Sequence, residues 1–444
     1  MDTTITRSRW VLGFFILALS VCAVRLVQLQ IIEGPSLAAQ GQRVRTSSTE
    51  VAAARGTITD ATGVVLANSI QTYDIAVNQV NIRAYVHRDD DGNEVGRGPA
   101  EAARQLAPLL GMNEAELGGM MLGDSTYEYI KRNVDAVTYR EIRKLDIYGI
   151  EWESVFEREY PNGNVAAPVI GTVNAEGQGS SGMEAQFDTF LTGTPGAQAF
   201  EIAPNGAVMP GGKKTTVEPK NGGNVELTLH ADLQHQVQDL LDARVAKHQA
   251  DWGAVVIEDV ATGHVLVMAD SNSTEPDNAK PQKVHAVQDT FEPGSVGKLV
   301  TVGTALNQGT ITPTSVFQVP YALDLPDAGA FGFGQETGIE LPGESAGLVR
   351  SADQLQGRDR YVTMFGQAYA ITAMQEASAL ATIANGGVRI APHIVKSWTN
   401  ADGTVEVPDS SQPVQVMDAQ AASQLLTMME SVVEDDRGTA GAAK

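Results

Sequence analysis

Cysteine is almost missing: Cys22 stands alone among 444 residues, so no disulfide can close within the chain. Histidine is scarce too. The seven are scattered, no Cys/His cluster has metal-ligand spacing, and neither a metal nor a cofactor is expected. Positive charge is short: 31 Lys and Arg oppose 54 Asp and Glu, a net charge of −23. Binding to nucleic acid or to an anionic membrane surface would need clustered basic residues, so the sequence points away from both. What remains is length enough for about two or three domains with sizeable cores.

Trp10 to Val24 carries no charge, and the apolar character resumes after Arg25 through Leu26, Val27, Leu29, Ile31 and Ile32. Residues 10–32 suffice to cross a bilayer, with Arg25 and Gln28 toward the outer end, where a long side chain can snorkel. Arg7 and Arg9 precede the run and place residues 1–9 in the cytoplasm. A cleaved signal peptide would want small residues at the cut, and Val21-Cys22-Ala23-Val24-Arg25 does not supply them. Bulky Val21 likewise argues against a lipoprotein cysteine. An uncleaved single-pass anchor is expected, with the bulk of the chain outside the cytoplasm. Gly13, Ala18, Ser20 and Ala23 could form a small-residue face for another membrane helix.

Residues 33 to about 50 read as a polar stalk. Arg55 to Ala67 (RGTITDATGVVLA) predicts a hairpin, and Tyr73 to Val80 a further strand. His87 to Gly98 reads as an exposed loop; its Asp89-Asp90-Asp91-Gly92 lacks the spacing of a calcium loop. Helices are expected over Pro99–Leu110, Glu114–Leu122 and Asp135–Leu145. From Arg158 onward, glycines interleaved with apolar residues suggest tight turns packed against a domain. Pro204–Gly223 makes a plausible boundary.

Beyond it, Asn224–Leu229 is a strand and Asp232–His248 an amphipathic helix. Trp252–Asp259 and His264–Ala269 pair through a turn at Gly263, and helices follow at Ala370–Ala384 and Val414–Val433. That order describes an α+β domain with helices on an antiparallel sheet.

The chemistry gathers at Phe291-Glu292-Pro293-Gly294-Ser295-Val296-Gly297-Lys298. A Pro-Gly turn leads into a helix reaching Gly309, which sets Ser295 in its first turn and Lys298 on the same face. A serine hydroxyl becomes a useful nucleophile once a neighbouring base takes its proton, and an uncharged lysine amine can do so. Holding a lysine amine neutral at pH 7 costs about 4 kcal/mol, because free lysine titrates near ~10.4. Ser295 is the only serine in the chain with a lysine three residues on.

These segments together resemble the class B penicillin-binding proteins, and among them the cell-division (FtsI-type) D,D-transpeptidases. The carriers are the anchor, RGTITDATGVVLA, YPNGNVAAPVIGTVN with GQGSSGMEAQFDTFLTGTPG, FEPGSVGK, FGFGQETGIELPGE (331–344) and IANGGVRIAPHIV (383–395). The resemblance implies a cytoplasmic tail (1–9), an anchor (10–32), a pedestal of the dimerisation type (33–223) and a transpeptidase domain (224–444) with the penicillin-binding fold. It implies that Ser295 attacks the D-Ala-D-Ala end of a peptidoglycan stem peptide, with Lys298 as proton acceptor, and that β-lactams acylate the same serine. Implied partners are a polytopic glycan-strand polymerase and other division-complex membrane proteins. A non-catalytic scaffold of the wall-synthesis complex is the alternative; β-lactam hydrolysis is a distant third, since it needs no pedestal. The family's Ser-x-Asn is absent before Phe331, and its Lys-Thr-Gly is absent after Gly438-Thr439-Ala440. The family-like flanks lead us to expect both in the native polypeptide, between about Pro326 and Phe331 and beyond Lys444.

Overall fold

The computed structural model describes residues 2–33, 46–201, 214–271, 273, 274, 276, 282–316, 328–351, 353–409, 412–435 and 438. Residues 34–45 of the expected stalk and the first half of the expected boundary, 204–213, lie outside the described residues. Two compact units divide the chain, one of residues 1–52 with 195–220, the other of 53–194 with 221–444.

In the first unit, Asp2–Val27 is one α-helix that widens into a single π-turn, Gln28–Ile32, closed by Glu33 N–H donating to the Gln28 carbonyl at 2.8 Å. Its Leu12–Ile31 stretch has a mean hydropathy of 2.1 with none of it buried, long and apolar enough to cross a membrane. Ser20 Oγ donates to the Ile16 carbonyl (2.9 Å), which satisfies the hydroxyl on its own helix. The same unit holds an antiparallel sheet with Gly196–Glu201 between Thr46–Val51 and Lys214–Val217.

The second unit is organised on a seven-stranded sheet. Its order runs Val405–Glu406, Val395–Thr399, Asn224–Leu227, Ile58–Thr59, Val65–Val77 and Glu128–Val134, with Ile150–Glu159 also pairing Val65–Val77. All pairs are antiparallel except Ile58–Thr59 with Asn224–Leu227. The expected hairpin forms, Ile58 opposite Ala67, and Asp60 sets its turn. Asp60 Oδ1 accepts from Thr62 N, Thr62 Oγ1 and Val64 N, each at 2.8 Å, while Oδ2 accepts from Ala231 N at 2.9 Å, where the helix Ala231–His248 begins. Burial works to raise this carboxyl's pKa, but the bonds from Ala231, Thr62 and Val64 outweigh it and hold it low.

The strand expected over 73–80 is the end of a longer one, Val65–Val77. Helices Gly98–Leu110, Glu114–Met120 and Ala136–Lys144 cover one face of it, burying Ile75, Val77, Leu106, Leu117, Ile130 and Ile142. Asn113 and Asp135 cap the second and third helices by accepting from the first-turn N–H groups. The expected loop over 87–98 is instead a hairpin, Val86–Arg88 against Glu94–Arg97. Asp89 Oδ1 ties its turn by accepting from Asp91 N and Asn93 N, so the acidic run serves the turn.

The glycine-rich stretch after Arg158 folds into short helices around a buried ion cluster. Glu184, fully buried, receives Arg55 Nε on one oxygen and Arg158 Nε on the other, both at 2.7 Å; Arg55 Nη1 also reaches Asp188 at 2.7 Å. Such a cluster holds only when every charge is paired and hydrogen-bonded. Gly171 and Gly182 permit it: their backbones pass so close that a Cβ on Gly171 would lie 1.9 Å from the Ser181 carbonyl.

The strands Ala254–Glu258 and Val265–Asp270 pair as expected and carry Ala231–His248 against them. Helices Lys298–Asn307, Ala373–Ala384 and Ala419–Glu434 share a core of Leu306, Phe333, Ile371, Ile383, Met417 and Leu425. The last helix is shorter than expected, because Val414–Gln415 pairs with Val388–Arg389 as a strand. The fold is therefore α+β: one exposed apolar helix, a mixed pedestal, and helices packed on an antiparallel sheet.

Candidate active site

Pro293 is buried and Gly294 takes φ +57°, a left-handed turn open to glycine at no steric cost. Gly294–Gly297 is a tight 3-10 turn, and the α-helix begins at Lys298, three residues later than expected. The consequence for the pair is unchanged. In a 3-10 turn side chains three apart eclipse, so Ser295 and Lys298 lie on one face. Both are exposed.

The turn is fixed from behind by residues 363–371. Phe291 and Ile371 exchange backbone hydrogen bonds at 2.9 and 3.0 Å, Gly294 N–H donates to the Gly366 carbonyl at 2.9 Å, and Ala368 N–H donates to Glu292 Oε1 at 2.8 Å. Thr301 Oγ1 donates to the Met364 carbonyl (2.8 Å), which ties the helix to the same segment. A Cβ on Gly366, at φ +83°, would fall 1.8 Å from the Gly294 carbonyl oxygen; one on Gly297 would meet the Tyr369 hydroxyl at 2.5 Å. Small residues at 294, 297 and 366 therefore set the depth at which Ser295 sits. Sequence reasoning missed this backing segment. Gly366 was its one legible sign, since the pairing is long-range.

On the approach to the turn, Trp252 stacks on His285 (5.2 Å, 10°) and meets Phe291 edge-on at 6.5 Å. Asp289 pairs with both Lys283 and His285. Burial acts to raise its pKa, and the hydrogen bonds from Lys283 and His285 hold it low. On the far side, Glu340 accepts from His393 Nδ1 (2.9 Å) and Ile394 N (2.9 Å), joining the FGFG…GIELPGE segment to the IANGGVRIAPHIV segment. The hydrogen bond to Glu340 raises the His393 pKa against the effect of burial. Among the described residues no cluster of His, Cys, Asp and Glu could hold a metal ion. Residues 317–327, where the Ser-x-Asn would precede Phe331, lie outside the described residues, as do residues 439–444.

Two family models match. The penicillin-binding protein transpeptidase domain covers residues 253–323 and 328–444, and the penicillin-binding protein dimerisation domain covers residues 50–227. Penicillin-binding protein PbpB of Mycolicibacterium smegmatis is 28% identical across 94% of this chain and 74% of its own length. Peptidoglycan D,D-transpeptidase FtsI of Escherichia coli K12 is 29% identical, across 90% of this chain and 74% of its own. Among solved structures, a peptidoglycan synthetase from Bifidobacterium adolescentis superposes with a TM-score of 0.69 at 34% identity, over 87% of this chain and 81% of that one. Penicillin-binding protein 3 of Mycobacterium tuberculosis, solved with aztreonam, gives 0.62 at 25% identity over 89% and 80%. A chain with this pedestal, this transpeptidase-type domain and these relatives belongs to the class B penicillin-binding proteins, in the FtsI-type branch of peptidoglycan D,D-transpeptidases.

Proposed function

We propose that this chain cross-links peptidoglycan through an acyl-serine intermediate on Ser295. The observation that carries the reading is an exposed Ser295 on a glycine-locked turn, with Lys298 on the same face. Lys298 takes the hydroxyl proton as Ser295 Oγ attacks the penultimate D-Ala carbonyl. The amide bond breaks, and the terminal D-Ala leaves with that proton on its nitrogen. An amine of a neighbouring strand then attacks the ester, a new amide forms, and the serine regains its proton. A β-lactam presents a strained amide to the same oxygen and remains attached.

Residues 1–9 form the cytoplasmic tail, 10–32 the inner-membrane anchor, 33–223 the pedestal and 224–444 the transpeptidase domain. The work is septal, alongside a polytopic glycan-strand polymerase and the division complex. One observation favours the second reading, a scaffold that does not turn over: Lys298 is exposed, and no Ser-x-Asn lies between it and Phe331. The break in the transpeptidase match at 324–327 supports the enzyme reading, since matched sequence resumes beyond it. Fluorescent penicillin applied to native membranes separates the two. Labelling that Ser295→Ala abolishes supports the enzyme; an unlabelled full-length protein supports the scaffold.

A further inference from the structure

Beneath the Ser295 turn lies a void of about 10 Å³, room for one water at most. Pro293, Val296, Gly297, Leu299 and Val300 line it from the turn and its helix, and Ala379, Leu380 and Ile383 from the helix Ala373–Ala384. One acid faces this apolar lining, Glu376, and its Oε1 is out of solvent without a hydrogen-bond partner. Nothing in the proposed chemistry uses it. Position in the first turn of a helix would favour a carboxylate, yet burial wins and raises the pKa above the ordinary 4.5. The ionisable group that feels it is Tyr369, whose pKa burial and then the Glu376 charge push up to about 12. The Tyr369 hydroxyl is also the atom a Cβ on Gly297 would strike, so both polar groups lie against the underside of the turn. The other lining residues from the turn and its helix, with Phe333, Ile371 and those of Ala373–Ala384, carry no charge; Lys298 is not among them.

We propose that Glu376 is a positioning residue for Ser295: its uncharged carboxyl packs under the turn, and its ionised form loosens it. An uncharged acid tolerates the apolar lining. Once ionised, Glu376 leaves its buried Oε1 without a partner, so water must be drawn into a space that holds one molecule at most, and the wall that yields is the turn carrying Ser295. The inference rests on the acyl-serine reading above.

The sign follows from linkage. Below pH 4.5 the acid is protonated folded and unfolded alike, and it costs nothing. As pH rises from there toward the raised folded value, the unfolded chain releases the proton first, so the native state loses stability. The test compares wild type with Glu376→Gln and Glu376→Leu in the full chain, by fluorescent-penicillin acylation from about pH 4 to about pH 9 and by melting over the same range. The variant-to-wild-type rate ratio is expected near one at the acid end, rising by up to about tenfold for each pH unit above the titration of Glu376. Taking the ratio cancels the pH dependence of the attacking groups. The melting gap between Glu376→Gln and wild type should widen with pH. A rate ratio flat with pH for both variants overturns the proposal. If wild type is unlabelled at every pH, the acyl-serine reading falls, and the inference is judged on melting alone: a gap that fails to widen overturns it.

Discussion

Gly366→Ala asks whether the backing segment sets the position of Ser295. Two costs arise in the structure. Alanine at φ +83° pays about 1–2 kcal/mol for the left-handed conformation. Its Cβ would lie 1.8 Å from the Gly294 carbonyl oxygen, which must retreat about 1.6 Å to reach the 3.4 Å of ordinary contact. Overpacking of that kind adds about 1–3 kcal/mol. The oxygen belongs to the peptide that leads into Ser295, so the movement is delivered to the nucleophile. Misplacement of this size costs on the order of 10² in rate. Gly338→Ala is the matched control: φ is +85°, but a Cβ there meets nothing within 4 Å, so only the conformational cost applies. The assay is the second-order rate of penicillin acylation, with urea unfolding alongside. Gly366→Ala should acylate about a hundredfold slower while Gly338→Ala stays near wild type. A folded Gly366→Ala that acylates at the wild-type rate would refute the reasoning.

Glu184→Gln removes the negative charge that pairs two buried arginines and turns one acceptor oxygen into a donor, and urea unfolding should show a loss of about 3–5 kcal/mol. His393→Gln tests the Glu340 pair. A raised histidine pKa contributes stability that is fully present below the ordinary 6.5 and is lost as pH rises through the folded value, so the variant's melting deficit should be larger at about pH 5.5 than at about pH 8.5. Residues 10–32 should stay on the mature protein, with the C-terminal domain open to protease from outside intact, wall-stripped cells. A mature N-terminus beyond residue 25 would sink the anchor.

Local chemistry made much of this fold legible in the sequence. The apolar run predicted the N-terminal helix; Asp60 and Gly63 predicted the first hairpin, and Gly263 the second, because a turn and its flanking β-branched residues are neighbours in sequence. Residues 86–97 misled for the opposite reason. A two-stranded ribbon exposed on both faces needs no alternation of apolar residues, so charge and glycine read as loop. The Ser295–Lys298 spacing was visible, but not that a 3-10 turn would carry it. The backing by Gly366 and Ile371, the Glu340–His393 pair and the Glu184 cluster join residues far apart in the chain. A single sequence has no local signal for such pairings. Glu376 was hidden within a helix pattern that ordinarily puts a glutamate in water.

The central claim is that Ser295 becomes acylated. Penicillin opens its ring on a serine without losing an atom, so intact-mass measurement of the full chain should gain the mass of one penicillin per molecule. Peptide mapping should place that mass on the fragment containing Ser295, and Ser295→Ala should remain unmodified. A full chain that gains no mass, or a Ser295→Ala variant that gains the same mass, would contradict the account.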